Sequence, residues 1–417
     1  MKKTSIFIGI GLALLVCMSC HREIMPTPVV PTCYIGCDTV KSKLEIIWAV
    51  PLGADTGDYK SQKPVIWNDK VIFTQDYGIG NWLVKGRDAK NGNLLWTWDD
   101  YIPSQYGHEI SDWWSAKDKI YFCDWSEMYS ISADNGQTNW RYKVPPGLLG
   151  GHPRMSVFKN NVFHVRATTS HPNDTITHLV RSDISDGIHW DTLLTAVASD
   201  GYTTSFEPPA GWINPQGDTM LVFDEGQYNF DTHKTRINMR AYNLHKKEVV
   251  WEKKDYGGGV PFPPLVVGEK VYYQNDAVHC IDLNTGNELW KSPNFYNPSI
   301  CKLVAANGKI FGNTTVGTLF CIDANTGSLC WSIQASNIYK DIEYYNNMLF
   351  FAGTGDGKLY AVNADNGNII WAEKSPLKKR KNSNYGSFSY MSTTINPVLN
   401  CLYVADNHFA MCIKLPK

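Results

Sequence analysis

The chain has almost no net charge, −1 over 417 residues, so it lacks the whole-chain attraction that nucleic acid or an acidic membrane would need. A nucleic-acid partner is not expected. Charged residues of all kinds are scarce at 19%, while aromatics reach 13%, a balance that suits many short strands with aromatic contacts between them better than helices. The apolar run Ile6 to Val16 falls short of the roughly twenty residues a spanning helix needs. Catalytic signatures are missing as well. There is no G-x-S-x-G, no H-E-x-x-H and no G-x-x-x-x-G-K-[ST], and the eleven histidines are scattered without metal-ligand spacing. Hydrolase and nucleotide chemistry are not expected.

What the chain does have is a repeat. Asp282-Leu283-Asn284-Thr285-Gly286-Asn287-Glu288-Leu289-Trp290 returns as Asp323 to Trp331, then as Asn363 to Trp371, and an earlier copy runs from Asp88 to Trp96. Intervals of about forty residues mean a propeller, a solenoid or an array. Three short apolar strands precede each turn and one follows it, as in Val65-Ile66-Trp67, Val71-Ile72-Phe73, Trp82-Leu83-Val84 and then Leu94-Leu95-Trp96. Four strands per repeat select a propeller. A second set closes at Gly136 and Trp140. The third is one residue short between Asp183 and Trp190, and the fourth is long, ending at Trp251 with Lys247 where the turn glycine should be. The insertions are expected to extend loops on one rim, Pro208-Pro209-Ala210-Gly211-Trp212 among them.

After Trp371 only three strands remain, around Met391 to Ile395, Cys401 to Ala405 and Phe409 to Leu415, whereas Leu44 to Val50 is a lone strand bearing Trp48. The termini are expected to pair in one blade, which removes exposed edges. Counting Trp48, Trp96, Trp140, Trp190, Trp251, Trp290, Trp331 and Trp371 predicts an all-β, eight-bladed propeller of four-stranded blades over residues 43–417.

The first 42 residues stand apart. Lys2 and Lys3, the apolar run and Ser19 before Cys20 resemble a bacterial lipoprotein signal, with Cys17 in place of the usual leucine three residues before the acceptor. The resemblance implies removal of residues 1–19, lipid on Cys20, a tether over 20–42, and export to a bacterial cell envelope, with the outer membrane as the expected anchoring site. Cys17-Met18-Ser19-Cys20-His21 also fits C-x-x-C-H, but cleavage would destroy that haem motif. Cys33 and Cys37 could close a small loop in an oxidising compartment, and no further ligands near them suggest a metal. Cys280, Cys321 and Cys412 recur at one repeat position and read as small buried filling.

The Asp-x-x-x-Gly-x-x-x-Trp spacing of Asp88 to Trp96, Asp282 to Trp290 and Asp323 to Trp331 resembles the repeat of PQQ-type eight-bladed propellers, over about Leu44 to Leu415. The resemblance implies that the turn glycines Gly92, Gly136, Gly286, Gly327 and Gly367 pack against the outer-strand tryptophans of neighbouring blades, Trp371 being the last of that series. One branch of the family holds a calcium-bound quinone, commonly under a disulfide of adjacent cysteines, and this chain has no two adjacent cysteines. PQQ and calcium are cofactors only under that alternative, with Asp112, Asp124 or Glu225 as conceivable calcium ligands. The other branch is non-catalytic and includes the propeller lipoprotein of the outer-membrane barrel-assembly machinery. A lipidated cysteine, a short tether and a ring of similar length favour this branch, which implies no cofactor and an envelope protein as partner.

Three surface features complete the expectations. Gly257-Gly258-Gly259 reads as a turn between blades, since no helix follows it to present N–H groups to a phosphate. Lys378-Lys379-Arg380-Lys381 reads as a solvated loop. Trp114 and Trp212, with Trp113 and Trp67 near them in pattern, are placed on inner strands, where they could face a ligand and stack on a glycan as an alternative to packing between blades.

Overall fold

The computed structural model describes residues 42–416 except 54–58, 77–81, 102–112, 124–126, 144–154, 168–175, 200, 257–261, 294–300 and 379–383, and leaves out the side chains of Trp82 and Trp190. Cys20, Cys33, Cys37, Asp112, Asp124, Gly257 to Gly259 and Lys379 to Lys381 therefore lie outside the described residues. Those described form seven sheets of four strands and one of five. Each blade runs outward from a short inner strand, in sequence order, as in Val65–Trp67, Lys70–Asp76, Trp82–Asp88 and Leu94–Trp98. The blades span 65–98, 114–143, 155–197, 202–253, 265–291, 304–334 and 343–373. The eighth combines Thr393–Asn396, Cys401–Ala405 and Phe409–Lys414 with the N-terminal strand Ile46–Pro51.

Middle strands are covered on both faces by the neighbouring blades, so they read as continuous apolar runs: Leu319, Phe320, Cys321 and Ile322 are all fully buried. Outer strands meet solvent and alternate, as Leu329–Gln334 does. The turn between third and outer strands explains the leading aspartate. Asp282 Oδ1 accepts from the amides of Asn284 and Thr285 and from the Thr285 hydroxyl, which caps the turn locally.

The residue after that aspartate joins two blades. The amides of Ala89, Leu283, Ala324 and Leu415 bond back to the first hairpin of their own blade. In the other direction, the indoles of Trp48, Trp140, Trp251, Trp290 and Trp331 donate to the carbonyls of Ala89, Ile184, Leu283, Ala324 and Ala364 of the following blade, at 2.8–3.2 Å. These five rings and that of Trp96 lie over turn glycines: Trp48 on Gly92, Trp96 on Gly136, Trp140 on Gly187, Trp251 on Gly286, Trp290 on Gly327 and Trp331 on Gly367. Trp371, whose following blade is the terminal one, packs in the cluster that holds Leu415, Tyr403 and Trp48.

Between blades 3 and 4 the pattern changes on both sides at once. Trp190 pairs with Ser182, and it is Asp191 opposite Arg181 that holds the register position given to tryptophan elsewhere. Trp190 is therefore displaced by one residue from the repeat position, because the missing residue is the one the other blades use for a bulge before tryptophan. A two-pronged ion pair takes the place of the indole, Arg181 Nε and Nη2 to the Asp191 carboxylate at 2.8 and 2.9 Å. Across from it Lys247 keeps the left-handed backbone of the turn, at φ 56°. Asp191 thus stands in tryptophan's register on one blade and Lys247 in glycine's place on the next.

Ring closure follows the expected route. Ile46–Pro51 pairs antiparallel with Phe409–Lys414, Trp48 opposite Cys412, and both the Trp48 indole and the Tyr403 hydroxyl donate to the Ala89 carbonyl of blade 1, at 3.0 and 2.8 Å.

Two glycines separate the staple from backbone strain. A Cβ on Gly327, at φ +72°, would stand 2.5 Å from Trp290 Cε3, whereas Gly308, at φ +71°, has nothing within 4 Å. Gly308→Ala should cost about 1 kcal/mol, the left-handed penalty alone, and Gly327→Ala about 3 kcal/mol, with overpacking added. Denaturant titration of both variants measures the difference.

Candidate functional site

Inner strands start at the end of the ring where second and third strands turn, so that end gathers eight strand starts around the axis. Blades 6, 7, 8 and 1 bring charge there. Lys63 forms an ion pair with Glu343, linking blades 1 and 7, the two neighbours of blade 8. Lys302 Nζ lies 3.2 Å from Asp341 Oδ1, and Ser392 Oγ donates to Asp341 Oδ2 at 3.2 Å. Lys340 Nζ reaches Gln62 Oε1 at 3.2 Å, and Trp113 Nε1 donates to the Lys63 carbonyl. Lys302 also stands over the Phe262 ring, 4.8 Å from its centre.

Charge states at this mouth follow from competition. Burial alone would raise the Asp341 carboxyl, but the Lys302 and Lys63 ammonium groups outweigh it and hold it at about 2. For Lys63, burial works against the charge and Asp341 and Glu343 overcome it, so its pKa is raised. Glu343 is pushed up by burial, with Lys63 opposing. A calcium-bound quinone needs open oxygen donors around the ion. Here both carboxylates already hold lysines and three ammonium groups share the opening, so these residues do not fit that group. Glu225, the described member of the conceivable calcium set, is buried in blade 4 and ion-paired with Arg240, which also holds Glu252 at 2.8 Å.

On the same end, across the axis, blades 3 and 4 rise above their neighbours. Thr219–Asn229 and Lys234–Asn243 are 11 and 10 residues long, against five for Lys270–Gln274 and Val278–Asp282 of blade 5. An extra strand, Tyr202–Phe206, pairs with Glu225–Asn229 beyond the inner strand Ala210–Ile213, which pairs with Thr219–Val222. Phe206 anchors it, fully buried with Phe163, Val165 and Leu179 of blade 3 and Phe223 of blade 4. The crest is open: Phe230 is 42% exposed and Val197 64%. Tyr228 packs edge-on to Phe230, ring centres 4.7 Å apart, and bonds His233 at 2.9 Å. Arg236 lies over the Tyr202 ring at 4.2 Å. A ridge of exposed apolar and basic groups thus crowns two blades.

The tryptophans read as ligand-facing are turned toward following blades. Trp212 is 4% exposed and packs with Val271 and Tyr273 of blade 5. Trp114 donates from Nε1 to the Met155 carbonyl of blade 3 at 2.7 Å, and Trp67 to Asp134 of blade 2 at 2.9 Å. Trp67 and Trp212 stand opposite Lys70 and Met220 beside the first hairpin, whereas Trp114 opposes Tyr121 at the other end of its strand. They share no platform. Pro208 to Trp212 leads into and forms an inner strand instead of a rim loop. The ridge and the charged mouth escaped sequence reading; the excess length between Tyr202 and Trp251 was the one signal for the former.

A family model described as outer membrane protein assembly factor BamB matches residues 296–395. The fold is similar to that of BamB from Moraxella catarrhalis, at 14% identity and TM-score 0.58, covering 89% of this chain and 100% of that one. It is also similar to a europium-containing methanol dehydrogenase, at 14% identity and TM-score 0.63 over 89% and 86% of the two chains. Quinohemoprotein alcohol dehydrogenase from Comamonas testosteroni gives 12% identity and TM-score 0.61 over 92% and 79%. No curated protein matches in sequence. At these identities the solved structures share the fold alone, and the fold occurs in an assembly factor and in dehydrogenases alike.

The mouth makes a pH prediction. Asp341 has its folded pKa depressed from 3.8 to about 2, so its pairing stabilises the ring above pH 4 and is lost as pH falls through that interval. Asp341→Asn should be less stable than the parent by about 2 kcal/mol at pH 7, and the gap should close between pH 4 and pH 2. Thermal melts of both proteins across that range check it.

Proposed function

We propose that this PQQ-like eight-bladed propeller is a non-catalytic lipoprotein of a bacterial cell envelope, anchored by lipid on Cys20 and serving as a scaffold for protein partners through the ridge of blades 3 and 4. The ridge carries the reading. Two neighbouring blades depart from the repeat together, and the added length places Phe230 and Val197 in solvent beside Arg236 and Lys234. Exposed aromatic and apolar groups ringed by polar ones mark protein contact surfaces.

Two observations support it. The match of residues 296–395 is to a model of an outer-membrane assembly factor, which favours the scaffold branch. The carboxylates of the axial mouth are held by lysines, which disfavours a calcium and quinone site there. The outer membrane is the proposed location, by analogy with that factor.

Two measurements test the reading. Calorimetric titration of the purified chain with PQQ and calcium should give no binding; saturation near one per chain would overturn the scaffold role in favour of a dehydrogenase. Affinity capture from envelope extracts should recover a protein complex, and Val197→Asp combined with Phe230→Asp should abolish that recovery with a melting temperature within about 1 °C of the parent, as expected of surface changes. Equal capture by the variant would move the docking surface off the ridge.

A further inference from the structure

In the bulged blades two residues of the outer strand oppose one of the third strand, just before the conserved-spacing tryptophan. In blade 6 the opposed residue is Cys321 and the pair facing it is Cys330 and Trp331: Cys321 aligns with Trp331 and Ile322 with Leu329, leaving Cys330 as the extra residue. The other bulges carry Leu95, Asn139, Val250, Leu289 or Ile370 at that place. Blade 5 has a cysteine in the third strand, Cys280, but Leu289 in its bulge. Among these bulges only that of blade 6 places a thiol beside a third-strand thiol.

We propose that Cys321 and Cys330 are an oxidisable cross-strand pair that a thiol-disulfide oxidase of the envelope closes into a disulfide. The proposal rests on the envelope reading for its oxidant and on the bulge register for its geometry. Cys330 is exposed and Cys321 fully buried, and burial pushes the Cys321 thiol up to about 12, so Cys330 is the sulfur that meets the oxidase. Its thiolate attacks one sulfur of the oxidase disulfide, forming a mixed disulfide and releasing the oxidase's other sulfur as thiolate. Cys321 then loses its proton and attacks Cys330 Sγ, releasing the second oxidase thiolate. Two thiols of the propeller are oxidised, one oxidase disulfide is reduced to a dithiol, and the two protons end on it.

The bond would tie the outer strand to its blade one residue before Trp331, the indole that covers Gly367 of blade 7. It fixes the staple where a solvent-side edge strand could fray. Cys401 and Cys412 also lie on neighbouring strands, in blade 8, but both are buried. They are beyond reach of an oxidase and serve as an internal control.

The test uses the full chain in its native host. Cells are quenched in acid, fractionated, and the thiols alkylated before and after reduction, followed by peptide mass spectrometry. A linked Cys321–Cys330 peptide pair, two hydrogens lighter than the reduced pair, is expected from the envelope fraction, with Cys401 and Cys412 alkylated only after unfolding. The oxidised protein should melt about 3 °C above the reduced one, and Cys330→Ser should remove that difference. Envelope protein with Cys321 and Cys330 both recovered as free thiols overturns the pair and leaves the scaffold reading intact. Recovery of the chain from the cytosol overturns the envelope reading and the oxidation with it.

Discussion

An indole laid flat on a glycine is the contact on which this ring depends. Each blade has a hydrophobic surface on two sides, and neither is buried until a neighbour covers it. A tryptophan of one blade's outer strand reaches the turn of the next, where only a hydrogen at Cα leaves room for the ring, and at every such joint but that of Trp96 its N–H finds the carbonyl three residues before the glycine. A large apolar face and one donor are satisfied together. Trp48 makes the same contact onto Gly92 across the chain's two ends, so closure uses the chemistry of the joints at Trp140, Trp251, Trp290 and Trp331.

An exception among these joints lies beneath the ridge. Between blades 3 and 4 the indole gives way to the Arg181–Asp191 pair, and Lys247 stands where glycine is otherwise required. An ion pair of this kind, about a third exposed, contributes less than an apolar staple in water. The longer strands of these blades compensate, since Phe206 and Phe223 of blade 4 bury against Phe163 and Leu179 of blade 3. That added core holds up the ridge, whose crest is left uncovered.

Much of this was legible because it is local. Repeated Asp-x-x-x-Gly-x-x-x-Trp spacing names its turns through the φ and capping needs of four residues, and three strands at one end with one at the other require each other by count. Lys247 and the short spacing before Trp190 already marked blades 3 and 4 as irregular. What those irregularities did was not legible. Deleting one residue removed a bulge and moved Asp191 into tryptophan's register, an effect that shows only against the partner strand. Trp114 and Trp212 likewise looked alike as inner-strand aromatics, yet they sit at opposite ends of their strands and both are turned into blade interfaces.

By itself, then, the sequence determined the strand pattern, the eight repeats and the way the ends meet, since these follow from period, turn chemistry and the need to cover edges. Only the tertiary structure decided which charges share the axial mouth and which apolar groups stay in solvent. Lys63 and Glu343 are 280 positions apart, and Cys321 faces Cys330 only through a bulge in the ladder. Ring closure sets the first of these contacts and the bulge the second, and neither shows until strands are paired.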